Sequence, residues 1–208
     1  MPELPEGWCW TKWEQIGFSQ NGRAFPSKEY KSSGIKLLRP GNLHFSGKVI
    51  WNNENTRYMA NKWSYDYPEY IIGPDELIMN LTAQSLKDDF LGRICKTSND
   101  EECLLNQRLA RLSPIVVNSN YLLCVFKSNS FREFVRGLNT GSLIQHMFTS
   151  QLAEFPIPLP PLEEQQRIVD EVTRRISLLE EIEAVTNDNL IKTEHLKLAV
   201  LNSAFIEG

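Results

Sequence analysis

Two rhythms of apolar and polar residues divide the chain. Up to about residue 155 the apolar residues come in short runs: Ile35-Lys36-Leu37-Leu38, Val49-Ile50-Trp51, Tyr70-Ile71-Ile72, Leu77-Ile78-Met79, Arg93-Ile94-Cys95 and Leu109-Ala110-Arg111-Leu112. These runs, partly β-branched and bounded by Gly, Pro, Asn or Asp, predict short strands joined by loops. Two later segments predict helices, Tyr121 to Lys127 and Ser130 to Leu138. In the second, Phe131, Phe134, Val135 and Leu138 keep the helical stripe, and Ser130-x-x-Glu133 predicts a capping box. From Glu163 the rhythm becomes purely helical. Val169, Val172, Ile176, Leu179, Ile182 and Val185 recur at steps of three and four, and Leu196, Val200 and Ala204 resume the stripe after Asn187-Asp188-Asn189. At about 1.5 Å per residue such a helix is a rod of roughly 60 Å. A small domain rarely buries so long a stripe along its own flank, so the pattern predicts a second long helix as partner.

The junction between the two rhythms is Phe155-Pro156-Ile157-Pro158-Leu159-Pro160-Pro161, with four prolines between 156 and 161. Proline excludes a helix or a central strand here and predicts a stiff extended connector. The expected organisation is therefore α+β: a globular mixed domain over 1–155, a connector over 156–162 and a long helix over 163–208. Charge follows the same division. The chain carries a net −4; residues before 156 hold 17 basic and 16 acidic side chains, and those from 156 hold 5 and 10. All five Trp and all six Tyr precede residue 156. Global charge thus gives no hint of a nucleic-acid partner. No apolar run approaches the ~18 residues that a membrane span requires. Met1 to Gly7 lacks the pattern of a secretory leader, and the four cysteines form no C-x-x-C pair, so a reduced cytoplasmic protein without membrane contact is expected.

Recognisable catalytic chemistry is missing from the pattern. Neither a G-x-G-x-x-G nor a G-x-x-x-x-G-K-[ST] phosphate cradle occurs. His44, His146 and His195 lack metal-ligand spacing. Pro74-Asp75 has no [DE]-x-K downstream to complete a nuclease-type set, and no Asn/Asp-Pro-Pro-Tyr/Phe motif of an amino-methyltransferase is present. Asp88-Asp89 reads as a solvated turn. The chain is expected to hold no metal and no cofactor of its own.

Several segments together resemble the DNA-specificity subunit of type I restriction-modification systems. These are Leu4-Pro5-Glu6-Gly7-Trp8, Gly22-Arg23-Ala24-Phe25-Pro26-Ser27-Lys28-Glu29-Tyr30, Gly34 to Arg39, Gly41-Asn42-Leu43 and Leu105 to Leu112. The most specific is the proline-rich run leading into Leu162-Glu163-Glu164-Gln165-Gln166-Arg167-Ile168-Val169. The resemblance implies a target recognition domain followed by a coiled-coil-type helix. Family members usually carry two such pairs, with the helices packed antiparallel. This chain has one of each, as a natural half-length subunit or a fragment would.

The resemblance further implies a non-catalytic adaptor that binds double-stranded DNA. It would direct a modification subunit, which holds S-adenosylmethionine and methylates adenine N6, and a restriction subunit. Reading duplex DNA requires cations for phosphates and forked polar groups for base edges. Arg23, Lys28, Lys31, Lys36 and Arg39 lie within 17 positions that contain one acid, Glu29. Arg57 and Lys62 flank Tyr58 and Trp63, and Ser142, Gln145 and His146 belong to a polar segment after a predicted helix. The DNA-contact candidates are therefore Arg23, Lys28, Lys31, Arg39, Arg57, Lys62, Ser142, Gln145 and His146, with the cations expected on one face. Gln107, among leucines, is expected to hydrogen-bond inside the fold. Val169, Val172, Ile176, Leu179, Ile182, Val185, Leu196 and Val200 are expected to form a subunit interface, with an antiparallel copy of the chain or with the modification subunit. Two other classes stay open: a coiled-coil interaction protein whose head binds another protein, and an enzyme with an unrecognised site.

Overall fold

The computed structural model describes residues 2–84, 89–98, 102–138 and 145–206. The chain runs β1 (Cys9–Lys12), α1 (Trp13–Ile16), β2 (Gly17–Asn21), β3 (Ile35–Leu38), β4 (Tyr58–Met59), α2 (Lys62–Asp66), β5 (Ile71–Ile72), β6 (Leu77–Asn80) and β7 (Thr82–Ala83). It continues through β8 (Ile94–Lys96), β9 (Cys103–Leu105), β10 (Leu109–Pro114), α3 (Ser119–Phe126), α4 (Asn129–Leu138), β11 (Gln145–His146), α5 (Thr149–Ala153), β12 (Pro156–Leu159) and α6 (Leu162–Ile206). Mixed α and β structure followed by one long helix is the expected class.

Two four-stranded sheets carry the core. The first is antiparallel throughout, in the order β2-β10-β6-β8; the second is β4-β3-β9-β5, with β3 and β9 parallel. Successive side chains of a strand point to opposite faces, and the second sheet is apolar on both. Leu38, Leu105, Cys103 and Ile72 pack with Ile78, Cys95 and Leu109 of the first sheet. Leu37, Leu104 and Met59 face the other way, beneath Phe25, Tyr30, Trp63 and Tyr70. Burial on both faces explains why β3 and β9 read as unbroken leucine pairs rather than as an alternation. A third cluster joins the helices: Phe126 meets Trp13 at 5.8 Å and Phe131 at 5.0 Å, and Phe131 meets Phe155 at 4.9 Å. Arg132 is buried beside it and donates to four backbone carbonyls, those of Asp89, Leu91, Gly92 and Phe126, at 2.8–3.1 Å.

Several local expectations change. Val49 to Trp51 is not a strand. Val49 makes a single bridge to Leu43, and the Asn52 carboxamide accepting from Glu54 and Asn55 N–H starts a turn instead. Helix α4 begins at Asn129, so its cap is Ser128, whose Oγ accepts from Phe131 N–H at 3.4 Å, and Glu133 completes no box with Ser130. The proline-rich segment is extended as predicted, but it is a packed edge strand rather than a free connector: β12 pairs antiparallel with β1. Phe155 O accepts from Trp13 N–H, so residues 155, 157 and 159 face β1 while Pro156 and Pro158 turn their missing N–H away. Ile157 is buried.

The chain separates into two compact units, Met1–Gln165 and Gln166–Gly208. The first thus extends past the boundary expected at 155, through β12 and the opening turn of α6. Gln165 holds that turn. Its side chain is 1% exposed, accepts from Asn118 N–H at 2.9 Å and donates to Pro160 O at 2.9 Å. Trp8 Nε1 donates to Glu164 at 3.0 Å, and the Tyr121 hydroxyl donates to Pro158 O at 2.5 Å.

The second unit is helix alone. Along it, Glu171 pairs with Arg174 and Arg175, and Asp188 with Lys192, one turn apart. Ile176, Leu179, Ile182, Val185, Leu196 and Val200 are all exposed.

Candidate nucleic-acid interface

The outer face of the second sheet gathers most of the predicted cations. Gly22 starts this arrangement. A Cβ there would stand 2.2 Å from Asn106 O, so only glycine lets the chain pass this close to the turn between β9 and β10. Arg23 N–H then reaches Leu105 O at 2.9 Å, Arg23 O accepts from Gln107 N–H at 2.8 Å, and Phe25 drops into the core. Trp63 of α2 meets Phe25 edge-on at 5.4 Å and stacks on Tyr67 at 5.4 Å.

Cations stand over these rings. The Arg23 guanidinium lies 3.6 Å from the centre of Tyr67, Arg39 is 5.7 Å from Tyr30, and the Lys62 ammonium is 5.7 Å from Trp63. Each such contact contributes about 0.5–1 kcal/mol at an exposed site and narrows the positions the side chain samples. Arg23 Nε is buried and meets no acceptor among the described residues. Lys28 and Lys31 are exposed on the turn either side of Tyr30, and Lys31 N–H bonds Tyr58 O at 2.9 Å. Glu29 is a weak counter-charge, 3.9 Å from Lys62. The result is an aromatic layer edged by cations on a chain that is acidic overall.

Other predicted residues stand elsewhere. Arg57 is half-buried and braces its own loop, its Nη1 donating to Glu54 O at 2.9 Å and Thr56 O at 2.7 Å. Lys36 lies on the opposite face of β3, over Trp51 at 5.0 Å, because it alternates with Leu37 and Arg39. Gln145 and His146 form β11, which pairs with β7 in a two-stranded sheet of their own. Ser142 and Asp88 lie outside the described residues. Gln107 is exposed, and the polar side chain buried in that turn is Asn106, which accepts from Arg108 N–H at 3.2 Å. Sequence reading missed Phe25 and Tyr67 as the ring partners of Trp63, since nothing local marks two aromatics so far apart in the chain as neighbours.

Among the described residues no group of three or more His, Cys, Asp or Glu is placed to hold a metal ion, and no helix is long and apolar enough to cross a membrane. The Cys95 thiol is buried and pushed up to about 12, chiefly by desolvation, which holds it as an unreactive thiol.

Residues 5–192 match a family model described as the type I restriction modification DNA specificity domain. The chain belongs to that family. Among its curated relatives are the type I restriction enzyme EcoAI specificity subunit of Escherichia coli and the MjaVIII specificity subunit of Methanocaldococcus jannaschii. The first is 27% identical over 97% of this chain and 34% of the relative; the second is 26% identical over 86% and 41%. The chain therefore spans between about a third and two-fifths of these specificity subunits. Its fold is shared with a chain from a study of complex assembly and conformational transition in a type I restriction-modification system. That match has a TM-score of 0.66 and 19% identity over 93% of this chain and 45% of the other. The HsdS subunit of Thermoanaerobacter tengcongensis aligns with a TM-score of 0.59 and 19% identity, over 86% of this chain and 41% of the other.

Proposed function

We propose that this chain is a sequence-reading part of a type I specificity subunit: residues 1–165 bind double-stranded DNA and the long helix assembles the complex. The observation that carries the proposal is the family match over residues 5–192 in a chain whose cations edge one aromatic layer. The chain performs no chemistry itself. A modification subunit that binds S-adenosylmethionine methylates adenine N6 where this chain docks, and a restriction subunit joins the same assembly. Lys28, Lys31, Arg39 and Lys62 meet phosphates, and Arg23 adds a forked donor held by Tyr67.

The helix needs a partner, because each aliphatic side chain of its stripe gains roughly 1.5–3 kcal/mol on full burial. In this reading an antiparallel copy of the chain supplies the second helix. Two recognition domains then lie at opposite ends of a two-fold assembly and read an interrupted, symmetric target. The alternative is that helices of the modification subunit cover the stripe around a single copy.

Duplex binding measured by fluorescence anisotropy across a salt series tests the reading. Affinity should fall steeply as salt rises, with a log–log slope set by the number of phosphates neutralised. Arg39→Ala with Lys31→Ala should flatten that slope by about two while the melting temperature stays nearly unchanged. A chain that binds another protein through its globular head but no duplex, alone or with its modification subunit, would instead be the coiled-coil interaction protein.

A further inference from the structure

Three arginines of the globular unit serve the fold itself. Arg132 donates to four backbone carbonyls, Arg111 to Ile71 O, Glu69 O, Glu76 and Gln20, and Arg57 to Glu54 O and Thr56 O. Arg23 is used differently. No hydrogen bond or ion pair engages its side chain among the described residues, and the contact its charge makes is with the Tyr67 ring, 3.6 Å from the ring centre.

Both partners of this contact are fixed from behind. Arg23 bridges Asn106 in parallel, its N–H on Leu105 O at 2.9 Å and its O accepting from Gln107 N–H at 2.8 Å, directly after the close approach at Gly22. Tyr67 ends α2, with its N–H on Trp63 O at 3.1 Å, and its O accepts from Tyr70 N–H at 3.1 Å across Pro68. A guanidinium is planar, so stacking on a ring occupies a face and leaves the N–H donors of its edge available. Of those donors Nε is buried without an acceptor, as is the indole N–H of Trp63, whose ring stacks on the same Tyr67 at 5.4 Å. The two Nη groups are the open end of the fork. Native folds rarely leave buried donors unanswered. A placement that desolvates Nε and returns no hydrogen bond is explained by what the fork meets outside the chain.

We propose that Arg23 reads a guanine in the major groove, its two Nη groups donating to O6 and N7, with Tyr67 as the positioning residue that fixes the plane of the fork. The proposal rests on the DNA-binding reading above and gives it a residue that sets specificity. Arginine carries donors only, and guanine is the base whose major-groove edge offers two acceptors side by side. Adenine and cytosine each place an amino donor on that edge, which a donor-only fork cannot answer. A phosphate accepts from any cation within reach, and Lys28, Lys31 and Lys62 are exposed on flexible stems that suit it. A base edge requires a fork held in one plane. Arg39, 5.7 Å from Tyr30, is held more loosely than Arg23.

The test uses the full chain with its modification subunit. Duplexes carrying a randomised stretch are selected on the wild type and sequenced, and binding to the enriched site is then measured across a salt series. The variants are Arg23→Ala, Arg23→Gln, Tyr67→Leu, Tyr67→Phe and, for contrast, Lys31→Ala, each checked for folding by circular dichroism. The enriched site should contain a guanine whose replacement by adenine weakens wild-type binding about 5- to 150-fold. At that position 7-deazaguanine, which lacks the N7 acceptor, should weaken binding several-fold. Arg23→Ala and Arg23→Gln should lose the preference for guanine there with the salt slope nearly unchanged, whereas Lys31→Ala should keep it and lower the slope by about one. Tyr67→Leu should lose most of the preference, and Tyr67→Phe, which keeps the ring, should retain it. Folded Arg23 variants that enrich the wild-type site and lower the slope by about one would make Arg23 a phosphate contact and overturn the proposal, leaving the DNA reading intact. Loss of the preference in Tyr67→Phe as in Tyr67→Leu would overturn the positioning role of the ring. A wild-type complex that enriches no duplex would overturn the DNA reading and this proposal with it.

Discussion

Gln165 offers a direct test of how the opening turn of α6 is held. Its carboxamide uses both ends, one accepting from Asn118 N–H and one donating to Pro160 O, each at 2.9 Å, in a site 1% exposed. Gln165→Leu leaves a buried N–H and a buried C=O without partners. At about 1–3 kcal/mol for each orphaned group, and with some return from the apolar side chain, the expected loss is about 2–4 kcal/mol. Gln165→Glu separates the two bonds. The carboxylate still accepts from Asn118 N–H, but its second oxygen faces the Pro160 carbonyl, and only the protonated acid can donate there. Burial and that carbonyl raise the folded pKa above the unfolded value near 4.3. Stability relative to wild type is therefore retained below about pH 4.3 and lost as pH rises towards the folded pKa, by about 1.4 kcal/mol per unit. A rise of two to three units gives a loss of about 3–4 kcal/mol at pH 8. Urea unfolding between pH 5 and 8, followed by tryptophan fluorescence, reports on this unit because all five tryptophans lie in it. The reasoning is refuted if Gln165→Leu unfolds within about 0.5 kcal/mol of wild type, or if Gln165→Glu tracks wild type at every pH.

Tyr121→Phe should cost about 1–2 kcal/mol by removing the hydroxyl's bond to Pro158 O, measured by the same unfolding. Burial pushes the Tyr121 hydroxyl up to about 12, so its stabilising contribution is complete below pH 10 and disappears as pH climbs towards 12. An absorbance titration in which Tyr121→Phe removes a step near pH 10 would contradict this. Val172→Asp with Leu179→Asp should abolish self-association, or assembly with the modification subunit, in sedimentation experiments while the unfolding of residues 1–165 is unchanged; an assembly that survives both charges would rule out the stripe as its interface. Cys9, which is exposed, should react first with a thiol reagent at pH 8, and Cys95 only on unfolding. Early labelling of Cys95 would show that its burial is wrong.

Local pattern was enough for the long helix, because a stripe repeated at three and four positions without Pro or Gly has one regular solution. It was enough for the strand runs at 35–38, 77–79 and 109–112, where flanking turn residues limit the run, and for the residues that carry the family resemblance. Other features depended on packing. The prolines of 156–161 correctly signalled extended chain, but whether it ran free or paired was decided by β1, some 150 residues away. Leu104 and Leu105 gave no alternation, since both faces of their strand are covered, and the strand became legible only between its neighbours. Gln107 is exposed instead of bonded inside, because the tight turn between β9 and β10 turns its neighbour Asn106 inward. The cations of 23–39 were a cluster in sequence, yet a strand turned Lys36 to the opposite face from Arg39. Tyr67 and Trp63 then became the ground on which Arg23 and Lys62 stand. Periodicity and turn chemistry are local and can be read along the chain; which rings lie beneath which charges depends on long-range pairing of strands, and that exists only in the folded structure.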